Sequence, residues 1–172
     1  MLKTRIHPLY AIPCALLLLL ATSATSADVP KPLKSRFVIG DPVWREIPVR
    51  DELRNQYNKC WQTATSTILE NNFDIATMDK DSGYIRTTSN VGIVVLGGNW
   101  SYGVQVSLKF VFLPPEPNTP SGIPPSVDKV RIQAAGVIAE TKRGAIKQSF
   151  RGYDQVVLQN LFQDLSAKLG TR

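Results

Sequence analysis

The sequence predicts an α+β fold, in which a long N-terminal helix and a C-terminal helix pack on one antiparallel sheet of about 4–6 strands. Three observations carry this. Apolar residues recur at helical spacing from Leu53 to Ile68 and again from Leu158 to Leu169, and between them lie several runs that alternate with period two. At Phe73 the period changes from 3.6 to 2, which marks a helix feeding a hairpin.

The chain opens with Lys3 and Arg5, an apolar block centred on Leu16 to Leu20, and a small-residue segment ending at Ala27. This is the three-part layout of a secretory signal peptide over residues 1–27, with cleavage near Ala27. The apolar block is shorter than the ~20 residues of a spanning helix; extension through Leu9 to Ala15 would instead retain it as an anchor. Cys14 precedes the apolar block, so lipidation there would leave that block on the mature protein, and Cys14 is read as not lipidated. Removal of residues 1–27 leaves about 145 residues, enough for one core. It also takes two basic residues from a formal net charge of +6. The remaining surplus suits weak attraction to anionic lipid or polymer and is too dispersed to argue for nucleic acid.

Residues 28–48 carry Pro30, Pro32, Pro42 and Pro48 and are expected as an extended arm without helix, from which Arg36 to Ile39 or Val43 to Ile47 can pair as an edge strand. A single α+β domain over 49–172 follows. Its first helix, from about Arg50, places Leu53, Tyr57, Trp61, Ala64 and Ile68 on one face; Asp51 and Glu52 favour its N-terminus and Asn71-Asn72 end it. Phe73 to Thr77 and Tyr84 to Thr88 form a hairpin around Met78 to Gly83. Val91 to Leu96 is a third apolar run, and Val104 to Phe112 alternates as a half-buried strand with Val104, Val106, Leu108, Phe110 and Phe112 inward. Six prolines between Leu113 and Ser126 make a Pro-rich loop at 114–126. Val127 to Ala139 returns as the partner strand, Lys142-Arg143-Gly144 turns, and Ala145 to Phe150 follows. Asp154 caps a last amphipathic helix, with Gly170 just past its end.

Chemistry-bearing groups are few. The sole histidine, His7, leaves with the signal, which removes histidine-dependent triads and histidine metal sites. Cys60, beside Trp61 on a core face, reads as packing. Asp79 and Asp81 sit in Asp-Lys-Asp-Ser-Gly, ordinary turn chemistry without the further oxygen ligands of a calcium loop. No catalytic residue, metal or cofactor is expected. The stretch most suggestive of recognition is Gly97 to Gly103, a glycine-framed loop holding Trp100 and Tyr102, two aromatics able to stack on a ligand or to fold back over the core edge. Lys142, Arg143, Lys147 and Arg151 read as a solvated sheet face more than as an anion patch.

Trp61, Phe73, Ile75, Asp79, Gly83, Ile85 and Thr87 together follow the order tryptophan-bearing helix, asparagine stop, alternating strand, then Asp-x-x-x-Gly-x-Ile-x-Thr. This order resembles small exported bacterial envelope proteins with a helix-grip domain of the NlpB/BamC class of outer-membrane assembly lipoproteins. The resemblance implies an accessory in envelope assembly or maintenance, acting through protein contacts. The functional expectation is therefore an exported, periplasmic or secreted, non-enzymatic cell-envelope protein that binds a protein partner or envelope component. The alternative is a carrier of a lipid or metabolite in a pocket between helix and sheet.

Overall fold

The computed structural model describes residues 29–171 apart from 30, 96–98, 116–122 and 144. The expected signal segment with Cys14 and Ala27, the tip of the glycine loop and the centre of the Pro-rich loop lie outside the described residues.

The fold is α+β with one antiparallel sheet, as the two periodicities require. In chain order the elements are α1 (Lys31–Lys34), β1 (Phe37–Ile39), β2 (Arg45–Pro48), α2 (Asp51–Arg54), α3 (Tyr57–Glu70), β3 (Ile75–Asp79), β4 (Tyr84–Thr87), β5 (Asn90–Val95), β6 (Asn99–Phe112), β7 (Val127–Lys142), β8 (Ala145–Asp154) and α4 (Gln155–Leu169). The sheet has 8 strands in the order β1-β8-β7-β6-β4-β3, with β2 pairing β7 and β5 pairing β6. The expected count of 4–6 strands is thus too low. The two strands beyond it come from the arm: β1 pairs β8 from Phe37 opposite Asp154, and β2 pairs β7 from Arg45 opposite Ile132. Because β8 reaches β7 only at Ala135–Lys142, β2 covers the stretch of β7 edge that β8 leaves open.

A single long N-terminal helix is not seen. In its place α2 ends at Arg54 with Asn55 as its cap, and α3 begins after Gln56, whose backbone (φ −112°, ψ 52°) leaves the helical region. At the break the Gln56 N–H returns to the Leu53 carbonyl at 2.9 Å, and the Asn55 carboxamide oxygen accepts from the Ser126 hydroxyl. Leu53, Tyr57 and Trp61 keep their spacing of four and are all buried, so the periodicity runs through the break and cannot reveal it. The expected stop is present, with Asn72 at φ 60°. The arm also contains a short helix, against the expectation from its prolines. α1 is one turn long and holds Pro32 at its second position, where no intrahelical N–H is needed.

Register assigns the two faces of the sheet. Val106, Leu108 and Phe110 oppose Ala134, Ile132 and Val130; Ile85 opposes Leu108 and Ile47 opposes Val130. All of these side chains are buried, together with Leu158, Leu161, Leu165 and Leu169 of α4 and Ile68 of α3. Each fully buried aliphatic side chain contributes ~1.5–3 kcal/mol. α3 closes the end of β6 with an aromatic cluster, Tyr57 standing edge-on to Phe110 and Phe112 at 5.4 and 5.0 Å and Trp61 lying 5.6 Å from Phe110. α3 and α4 therefore lie on one side of the sheet, and the space beneath them is filled by side chains. Among the described residues no helix is long and apolar enough to cross a membrane.

Candidate interaction surface

Trp100 and Tyr102 lie on β6, which starts at Asn99, and not on a loop. The strand extends further than its alternation indicates because Asn99–Gly103 pairs on both sides, with β5 and with β7. Tyr102 is buried, and its hydroxyl donates to the Asp154 carboxylate. Burial and this hydrogen bond push its hydroxyl pKa far above the ordinary tyrosine value. Asp154 is fully buried and also caps α4, accepting from the Val156 and Val157 N–H groups at 2.9 and 3.0 Å, while the Arg36 guanidinium lies 2.6 Å away. Burial disfavours the Arg36 charge, yet hydrogen bonding and attraction to Asp154 outweigh it and raise its pKa. This node ties the arm, β6 and the start of α4 together. Trp100 is half-buried and stacked on Phe150 at 6.5 Å with the rings 13° apart. Of the two expected recognition aromatics, Tyr102 is thus committed to the core, and Trp100 keeps partial exposure.

The other singled-out groups have structural partners. Cys60 is buried, its thiol donates to the Leu53 carbonyl at 3.4 Å, and burial pushes its pKa up. Asp79 accepts from the Ser82 N–H at 3.1 Å, which lowers its carboxyl pKa and closes the expected turn. Among the described residues no group of three or more metal-ligating side chains is found. An open groove of about 610 Å³ beside α2 is lined by Arg50, Asp51, Glu52, Lys59 and Lys168, charges of both signs. Arg50 there closes the C-terminal end of α4, donating to the Lys168 carbonyl at 2.5 Å.

The sheet face away from α3 and α4 has a different character. One cross-strand row reads Asp79, Tyr84, Lys109, Arg131, Glu46 across β3, β4, β6, β7 and β2, and the next reads Thr77, Arg86, Ser107, Gln133. Lys129 lies two residues along β7 from Arg131, and Arg151 opposes Val137 further up the sheet. Glu46 receives both Lys129 at 2.7 Å and Arg131 at 2.6 Å, and hydrogen bonds from the two hold its carboxyl below the usual range. Lys109 and Arg86 are exposed, and among the described residues neither has an ion-pair partner. Ser101, Gly103, Gln105, Ser107 and Ala135 line the middle of this face, with the Gln105 amide donating to the Thr87 carbonyl at 3.0 Å.

Of the basic residues expected to share a solvated face, Arg151 lies on this one. Lys142 ends β7, Arg143 sits in the turn, and Lys147 meets Glu140 at 3.2 Å. The cations Arg86, Lys109, Lys129 and Arg131 do not stand out in the sequence because they are scattered over three strands, with the Pro-rich loop between the second and the third. Their signal is parity: each falls on the polar phase of an alternating run, and only the register brings them side by side.

No protein-family model matches the chain, and no curated protein matches it either.

Proposed function

We propose that this chain is an exported, non-catalytic binding module of the cell envelope that engages a protein or envelope component through the uncovered face of its sheet. The observation that carries the reading is the asymmetry of the sheet. One face is filled by α3 and α4, whereas the other presents Arg86, Lys109, Lys129 and Arg131 with two carboxylates, Glu46 paired to Lys129 and Arg131 and Asp79 at the β3 edge. Export is supported by the basic, apolar and small-residue layout of residues 1–27, and the absence of a catalytic role by the poverty of imidazole and thiol groups described above. The helix-grip likeness to the NlpB/BamC class belongs to the same proposal, supported by two helices gripping one side of an antiparallel sheet. A small-ligand carrier draws no comparable support, since the space between helices and sheet is occupied by Leu108, Ile132, Leu158, Leu161 and Leu165.

The test is affinity capture from an envelope fraction of the producing cell, with the wild-type chain and an Arg86→Gln/Lys109→Gln/Arg131→Gln variant side by side. A component retained by the wild type and lost with the variant is expected. A wild-type chain that elutes alone under several mild extractions contradicts the proposal.

A further inference from the structure

Resting on that reading of the open face, the geometry points to a specific occupant: we propose that this face docks on an anionic bilayer, its cations meeting lipid phosphate groups. Lys109 directly opposes Arg131, while Arg86 and Lys129 stand diagonal to it across the neighbouring pairs. Cross-strand partners lie ~5 Å apart and diagonal ones ~7–8 Å, and like charges placed directly opposite destabilise a sheet. Glu46 pairs with Arg131 and Lys129, while Asp79 stands diagonal to Arg86 at the β3 edge and makes no ion pair among the described residues. The four cations outnumber the two carboxylates of this face, Glu46 and Asp79, and such a surplus is stabilised by anions from outside.

The shape of the array identifies their source. The cations lie side by side on three neighbouring strands of an open sheet face, spread over a surface as the phosphates of a bilayer are, and not gathered around a single cleft. At the margin of the same face the Pro42 carbonyl accepts from Gln133 at 2.8 Å, which fixes the segment carrying Val43 and Trp44, 43% and 42% exposed. Val137, 46% exposed, opposes Arg151 on the face itself. Exposed tryptophan and aliphatic side chains beside cations suit a headgroup interface, where an indole ring is at home.

The experiment is co-sedimentation of the full chain with phosphatidylglycerol–phosphatidylcholine vesicles and with phosphatidylcholine vesicles, so that any contribution of the apolar block at Leu16 to Leu20 appears in both. Binding to the anionic vesicles is expected to be the stronger and to fall steeply with added salt. Neutralising three array cations (Arg86→Gln/Lys109→Gln/Arg131→Gln) is expected to weaken anionic-vesicle binding about a hundredfold. The matched control, Lys59→Gln/Lys80→Gln/Lys142→Gln, removes the same charge elsewhere and is expected to retain most of the binding. Relief of the Lys109 and Arg131 opposition should leave Lys109→Gln at least as resistant to urea as the wild type, so its weaker binding is not a folding defect. Equal loss in the two triple variants, or no preference for anionic vesicles, overturns the proposal. Binding of soluble poly-glutamate without binding of vesicles also overturns it, and leaves the open face standing as a site for an acidic polypeptide.

Discussion

Replacing Asp154 by alanine removes the acceptor of four different groups at once. The carboxylate is fully buried and receives the Val156 and Val157 N–H groups, the Arg36 guanidinium and the Tyr102 hydroxyl. Loss of the cap costs ~1 kcal/mol. A buried hydroxyl left without an acceptor costs a further ~1–3 kcal/mol, and Tyr102 is in that position. The Arg36 side chain is 36% exposed and can recover water, so its share is discounted to ~1 kcal/mol, well below that of a fully buried pair. The sum, about 4 kcal/mol, is a large part of the ~5–15 kcal/mol that holds a domain of this size. Tyr102→Phe, by contrast, leaves Asp154 with Arg36 and both cap donors, and should cost ~1 kcal/mol. Urea unfolding at neutral pH, with the m-value unchanged, reads both. An Asp154→Ala cost no larger than that of Tyr102→Phe would refute the idea that this carboxylate joins the arm, β6 and α4.

Gly152→Ala places a Cβ well inside contact with the Val38 carbonyl oxygen and 2.9 Å from the Phe37 ring. It should cost ~2 kcal/mol or more and speed amide exchange across β1, and unchanged exchange at Val38 would count against the close pairing of β1 with β8 as a structural necessity. Cys60 in a Cys14→Ser background should resist thiol reagents at pH 8 in the native state and react at once in denaturant, because it is buried with its pKa raised. Fast native labelling would place the α2–α3 bend in exchange with an open form. Tyr57 has its pKa pushed up to about 12, by burial first and then by the charges of Asp81 and Asp79. Its stabilising contribution is complete below the unfolded tyrosine value near 10 and is lost as pH rises toward 12, so stability should fall across that window. Tyr57→Phe should flatten the fall in the urea midpoint, and an identical pH profile would show that Tyr57 does not titrate with folding.

The α+β class, the helix stop at Asn72 and the Asp154 cap were legible because each rests on a local pattern: a change of period, a left-handed-tolerant residue, an N-cap oxygen ahead of an apolar stripe. The break at Asn55-Gln56 was not, since the stripe Leu53, Tyr57, Trp61 keeps its spacing across it, and the Asn55 to Ser126 contact made there spans 71 residues. The arm strands were legible as extended segments, but which strands they pair with depends on where β8 ends. Tyr102 shows the limit for sites. Its glycine-framed setting suggests a loop, whereas its partner Asp154, 52 residues on, makes it part of the core. The basic face is the converse case, composed of unremarkable single cations that become a feature only through strand register.

The most direct test of the open face as the working surface is photo-crosslinking in the producing cell, with the crosslinker placed at Lys109 on that face or at exposed Gln163 on α4. Adducts to an envelope component, lipid or protein, are expected from position 109 and none from position 163. Adducts from position 163 with none from position 109 would contradict the assignment of the open face.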